Sequence, residues 1–425
     1  MSTVNAAAGT PGGVKPLEGV RVVESSMLGP AEMGGLLADL GADVIKVEPP
    51  GGDYGRRMTW PIIRSQDKES ESSLLSLHIN RGKRSIVLDL RQPEGVQAYL
   101  DLVKTADAVI EAMRPGALAK RGLTMEKLWE ANPALVFCSI SGYGATGPYR
   151  DMPSHGIAYD TWAGQVPVEV DEHGYTLMGD HTSVGIHAGP LYGALAMLAA
   201  VIRARATGRG CTMEVAQSDA AAYFDWYRIE TWKGYERPEE EVYGNAADHG
   251  ERRAPGVGGM RGGVRYQIYA TTDGHVLLMA SEQAFWKNFC AGIDRLDLFE
   301  RWPGTTYGDH ARGNLELQGI LTEVFASRSS ADWIGFGNEH NTPIAPVNTP
   351  KTILEDAQFQ HRMRWLPKED VDADMMAYPV KIEGGDLPAP GKAPAAGQHS
   401  EEVLREVAGY DGARVAALRD AGVLG

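Results

Sequence analysis

Between Val20 and Glu48 the chain spells a strand, a helix and a second strand in quick succession. Val20-Arg21-Val22-Val23-Glu24 is short, apolar and β-branched. Pro30 to Leu40 has helical length and composition, and Ala42-Asp43-Val44-Ile45-Lys46-Val47-Glu48 reads as a strand again. A helical crossover between two strands makes them parallel neighbours in one sheet, with the helix on its face. The pattern continues with strands at 85–90, 108–111 and 135–140 and helices at 93–104 and 123–132. A helix over 184–206 then leads to a strand at 211–215. These elements predict an α/β, doubly wound parallel sheet.

At 425 residues the chain exceeds a typical single domain, so two domains are expected. Composition shifts at 233–265, where charges and glycines accumulate in a long loop that includes Gly256 to Gly263. Beyond it, Val264 to Ala280 reads as a hairpin turning at Thr272-Asp273-Gly274-His275, and helices fill most of 282–340. Pro343 to Pro350 reads as a crossing linker and 384–398 as an irregular surface segment. A single amphipathic helix is expected at 400–420. The layout read from this is a flexible leader at 1–16, a large domain at 17–225, a small domain at 226–345 and a returning segment at 346–425.

A doubly wound sheet invites a dinucleotide, but the turn after the first strand is Ser25-Ser26-Met27-Leu28-Gly29-Pro30. It lacks G-x-G-x-x-G, so the close backbone approach to a pyrophosphate is not encoded, which argues against nicotinamide or flavin. No phosphate-binding G-x-x-x-x-G-K-[ST] stretch occurs either. The formal charge of −15 argues against nucleic acid, whose backbone would be repelled. Cys138, Cys211 and Cys290 have neither metal-ligand nor disulfide spacing, so no metal is expected and a reducing cytoplasm suits the chain. The apolar run from Val184 to Ile202 contains His187, Gly189, Pro190 and Gly193 and reads as a buried helix rather than a membrane span.

Asp180, in Met178-Gly179-Asp180-His181-Thr182-Ser183, falls just before that helix. A carboxylate there meets unpaired N–H groups and the positive end of the dipole, which keeps it ionised. It could serve as a nucleophile or a base, or simply cap the helix.

With these elements placed, the chain resembles the class III CoA-transferases, a family that includes formyl-CoA transferase and is related to α-methylacyl-CoA racemase. The resemblance runs from about Leu17 to about Met363. It rests on Leu37-Ala38-Asp39-Leu40-Gly41-Ala42-Asp43-Val44-Ile45-Lys46-Val47-Glu48-Pro49-Pro50-Gly51-Gly52-Asp53 and on Asn80-Arg81-Gly82-Lys83-Arg84-Ser85-Ile86-Val87-Leu88-Asp89-Leu90. Arg114-Pro115-Gly116, Ser139 to Pro148 and Pro346-Val347-Asn348-Thr349 add to it. The resemblance implies a Rossmann-like large domain, a smaller α+β domain from the middle of the chain and an interlocked homodimer. It implies coenzyme A as cosubstrate, with acyl-CoA and carboxylic acids as partners. Positions matching the family's CoA site are Lys46, Arg81, Arg84, Arg114, Lys120, Tyr143 and Gly144; basic side chains suit the phosphates of CoA. Asp180 matches the family's catalytic aspartate, which relays CoA through an aspartyl-CoA thioester. The Gly256–Gly263 loop resembles the glycine loop that closes over the transferase site.

A racemase alternative stays open. Pro153-Ser154-His155-Gly156-Ile157-Ala158-Tyr159 matches the racemases' Gly-His-Asp-Ile-Asn-Tyr segment, where transferases usually carry an aromatic in place of the histidine. Glu282 matches the glutamate that partners it. His155 and Asp180 could then exchange an α-proton from opposite faces. Ser154, Gly156 and Ala158 depart from that pattern, and inserts at 61–75 and 233–262 make the chain longer than racemases, which favours the transferase. A non-catalytic CoA-binding relative is a third reading, opposed by the intact Asp180.

Overall fold

Hydrophobic alternation in the first strands has a direct structural consequence. Val23, Ile45, Val47, Ile86, Leu88 and Val109 are buried on one face of a sheet, and Val22, Val44, Ala108, Ile110, Val136 and Ile140 on the other. Strands buried on both faces are the mark of a parallel sheet covered by helices. A computed structural model shows this sheet, describing residues 13–64, 71–238, 240–242, 260–304, 309–382 and 385–425. Six parallel strands form it: β1 (Arg21–Ser25), β2 (Asp43–Glu48), β3 (Arg84–Val87), β4 (Ala108–Glu111), β5 (Val136–Ser141) and β6 (Cys211–Ala216). Their order is 3-2-1-4-5-6, the doubly wound order in which the winding direction reverses between β1 and β4.

Helix α1 (Glu32–Asp39) starts after Pro30, whose fixed φ suits the opening turn of the chain into the helix. It covers one face, and α2 (Pro93–Val103) covers the other. Short α3 (Ile157–Trp162) precedes α4 (Gly185–Thr207), a helix of 23 residues. By length and composition α4 could cross a membrane. Here Ala194, Met197, Ala200, Val201 and Ala204 pack instead on the sheet core with Met33 and Leu37 of α1.

By its contacts the chain divides into two compact units, one running to Asp225 and resuming at Met363–Gly425, the other Trp226–Arg362. The second unit holds an antiparallel sheet of β7 (Tyr266–Ala270), β8 (His275–Met279) and β9 (Ile344–Pro346), packed with helices around Trp286, Phe289, Phe325 and Trp333. The 343–350 segment is thus more than a linker: β9 pairs with β8, and residues 346–362 cluster with this unit. The expected helix at 400–420 is two helices, Ser400–Glu406 and Gly412–Asp420, separated around the left-handed Gly409. Both bury side chains against the α2 face of the large sheet. The first twelve residues of the expected leader, and residues 256–259 of the glycine loop, lie outside the described residues.

Ile110 is fully buried between β4 and the α1/α4 layer. Ile110→Ala should lower stability by about 3 kcal/mol, read from the shift of the first unit's unfolding transition in urea.

Candidate active site

Ligands of open parallel sheets bind beyond the carboxyl ends of the strands, near the reversal in strand order. A cavity of about 250 Å³ lies there, lined by Ser25, Ser26 and Met27 after β1, Glu48 to Pro50 after β2, Leu88 to Arg91 beyond β3, and Met113 and Arg121 after β4. Its walls are fixed from below by buried ions. Lys83 Nζ pairs with Glu24 at 2.7 Å, both side chains fully enclosed, and burial lowers the Lys83 pKa to about 8. Glu24 accepts a hydrogen bond from Ser26 Oγ, and the Ser26 carbonyl accepts one from Lys46 Nζ. Lys46 also pairs with Asp53 at 3.0 Å. Asp53 in turn accepts from the Gly55 N–H, while its own N–H donates to Glu48.

That network corrects part of the expected CoA site. Lys46 is fully buried with its ammonium committed to Ser26 and Asp53, so it builds the wall and offers no charge to a phosphate. Arg81 makes a two-pronged pair with Asp39 (2.9 and 2.6 Å) and donates to the Met376 carbonyl, again buried. Arg84 opens β3, at the amino edge of the sheet, opposite the cavity. There it pairs with Asp43, Glu402 and Glu406, beside Arg21 on the same Asp43. All three are engaged by carboxylates.

Arg114 and Lys120 fare differently. They lie in the exposed segment after β4, and their side chains have no hydrogen bond or ion pair among the described residues. Arg121 shares this state and lines the cavity; it and Arg91 were missed from sequence, although Lys120-Arg121 adjacency after a strand was a visible signal. Tyr143 and Gly144 follow β5, at the carboxyl edge. The Tyr143 ring meets Tyr149 and Tyr159 edge-on. Gly144 has φ +87°, a left-handed turn that favours glycine, and its N–H donates to Ser141 Oγ.

Glu111 ends β4 at the reversal point, opposite Ser25 in register. It accepts from the Met113 N–H and Ser139 Oγ. Burial pushes its pKa from 4.5 up to about 7, so near neutral pH much of it is uncharged and repels an anionic ligand less.

Asp180 stands in an exposed stretch between the hairpin Val168–Val170/Thr176–Met178 and α4. It is not the helix cap. Asp160 of α3 does that work: its Oδ1 accepts from the N–H groups of Val184 and Gly185 at 2.9 and 2.7 Å. The Asp180 carboxylate has no partner among the described residues and points its chemistry outward. His155 is exposed in the loop entering α3, and Glu282 is exposed before the helix Gln283–Gly292 in the second unit. Of the aromatic residues near these segments, Trp286 is plain core.

A profile of CoA-transferase family III matches residues 17–400. The chain belongs to that family. The succinate–glutarate CoA-transferase of Agrobacterium fabrum is 30% identical over 92% of this chain and 96% of its own length. Human succinyl-CoA:glutarate CoA-transferase is 27% identical, covering 97% of this chain and 90% of that one. The crystal structure of a CaiB/BaiF family protein from Brucella suis superimposes with a TM-score of 0.75 and 26% identity, covering 93% of this chain and all of that one. This chain is therefore an enzyme of the CoA-transferase class, and CoA thioesters are the cosubstrates of that class.

Two expectations follow. Arg121→Ala should raise KM for a CoA thioester about tenfold, whereas Arg84→Ala should leave KM unchanged and lower the unfolding midpoint. Glu111 binds its proton more tightly folded than unfolded, so stability falls as pH rises from about 4.5 through about 7, and the penalty stays in force above that. Glu111→Gln should therefore raise the melting temperature more at about pH 8 than at about pH 5, in parallel thermal scans of variant and wild type.

Proposed function

We propose that this enzyme moves CoA between carboxylic acids through a covalent relay on Asp180. The carboxylate attacks the thioester carbonyl of the donor and expels CoA thiolate, giving a mixed anhydride. The thiolate then attacks the aspartyl carbonyl, releasing the donor acid and leaving an aspartyl-CoA thioester. The acceptor carboxylate runs the same two exchanges in reverse. Splitting the exchange this way replaces one difficult encounter of two anions with steps at a fixed carboxylate.

The exposed, uncommitted carboxylate of Asp180 carries this reading. Because Asp160 satisfies the helix N-terminus, Asp180 keeps both oxygens for substrate. The cavity beyond β1–β3 suits the nucleotide end of CoA, with Arg114, Lys120 and Arg121 for its phosphates; Arg91 also borders it but is paired with Asp89. The names of the two relatives make succinate and glutarate the first acids to try. A homodimer is part of the proposal: Leu191, Leu195 and Ile202 of α4 are exposed by 47, 67 and 72%, an apolar face that a second copy would cover. The three cysteines are free thiols, consistent with the cytoplasm as the site of action.

The test is mass spectrometry of CoA thioesters after incubation in D₂O with succinyl-CoA and a mixture of free acids. New thioesters bearing acids from the mixture are expected, and Asp180→Asn should cut their formation about a thousandfold or more. Near-normal turnover by that variant would remove Asp180 from the mechanism. Unchanged thioesters gaining one α-deuterium would favour proton exchange by His155 and Asp180.

A further inference from the structure

Next to Asp180 in the chain, two buried polar atoms face each other with no hydrogen-bond partner among the described residues. Asp160 is fully enclosed, and while its Oδ1 holds the start of α4, its Oδ2 has no hydrogen-bond partner among the described residues. His181 Nε2 is equally buried and unpartnered, 3.9 Å from that oxygen. The other ring nitrogen, Nδ1, lies 3.2 Å from the Gly179 carbonyl. A carbonyl only accepts, so Nδ1 carries the proton of this bond. In a neutral ring Nε2 would then present a lone pair to a carboxylate oxygen, two acceptors in an enclosed space. One more proton, taken from solvent, turns Nε2 into a donor. A closure of about 1 Å then makes a charge-assisted hydrogen bond.

We propose that Asp160 and His181 are positioning residues for Asp180: a buried carboxylate–imidazole pair, closed by one proton, that holds the 179–185 turn and with it the catalytic carboxylate. The proposal rests on the reading of Asp180 as nucleophile. The surrounding geometry leaves the turn few other fixings. The Gly179 N–H donates to the Pro167 carbonyl and its C=O accepts from His181, so the peptide entering Asp180 is held on both sides. A side chain on Gly185 would strike Tyr159 of α3, which brings that helix within reach of the turn. Other charged groups border the pair. Glu169 of the hairpin approaches Gly179, Asp180 is the preceding residue, and His187 on α4 pairs with Glu32 of α1 at 2.7 Å.

Because the latch closes only on the protonated ring, turnover should depend on that proton and hence on pH. Asp160→Asn is the informative variant. Its Oδ1 still accepts from Val184 and Gly185, and its Nδ2 can donate to the neutral Nε2, closing the pair without the proton. Its kcat should lose that pH dependence, whatever its absolute level. In ¹⁵N-histidine NMR of the full-length protein, with His181→Gln to assign the signal, the wild-type His181 ring closed on Asp160 should be doubly protonated, and the Asp160→Asn variant should hold the neutral Nδ1–H ring. A neutral Nε2–H ring in the wild type, or identical kcat–pH profiles for wild type and Asp160→Asn, would overturn the proposal. The spectra do not depend on turnover, so an error about Asp180 would show separately, as activity surviving in Asp180→Asn.

Discussion

Two desolvated ion pairs, Lys83–Glu24 and Lys46–Asp53, hold the carboxyl edge of the sheet in shape. Enclosed charges are costly unless paired and hydrogen-bonded, and removing one partner leaves a stranded ion worth about 3–5 kcal/mol of destabilisation. Here they are joined through Ser26, whose hydroxyl serves Glu24 and whose carbonyl serves Lys46. One loop after β1 is thereby tied to another after β2. Gly34 belongs to the same arrangement, because a side chain there would collide with the Glu24 carboxylate. The cavity walls inherit their geometry from this buried charge rather than from their own loops.

The same network explains what could and could not be read from the chain. Strands were legible because alternating Val and Ile report burial on two faces within a few residues. The family motifs were legible for a related reason, since they are the turns and edges that the sheet presents. The role of each basic residue was not. Lys46, Arg81 and Arg84 look like phosphate ligands until Asp53, Asp39 and Asp43 are placed beside them, and those pairings span two or more elements. Arg121 borders the cavity, and only its adjacency to Lys120 after a strand hinted at it.

The helix cap teaches a similar lesson. Proximity in sequence pointed to Asp180 as the carboxylate nearest the start of α4. The cap is Asp160, 24 residues before Val184, because α3 packs against that end of the helix and turns a buried carboxylate toward it. Capping and reactivity are competing uses of a carboxylate: one that accepts two backbone hydrogen bonds is a poor nucleophile. Handing the cap to Asp160 resolves the competition. Small-unit strand β9 escaped notice for another reason, being three residues long and flanked by prolines.

Exposure of Asp180 raises a demand of its own. The proposed relay passes through a mixed anhydride and an aspartyl thioester, both lost to hydrolysis wherever water reaches them freely, so on that proposal the working site is drier than this surface. The adjoining hairpin carries Val168, Val170, Leu177 and Met178 outward, exposed by 76, 68, 47 and 54%. Apolar side chains concentrated beside a nucleophile are poor solvent surface and good packing surface. They fit the proposed homodimer, in which part of the water-excluding wall around Asp180 would come from contact with a second copy. On that reading the enclosure around the nucleophile is a property of the assembly, and dimer formation and protection of the covalent intermediate are one physical event.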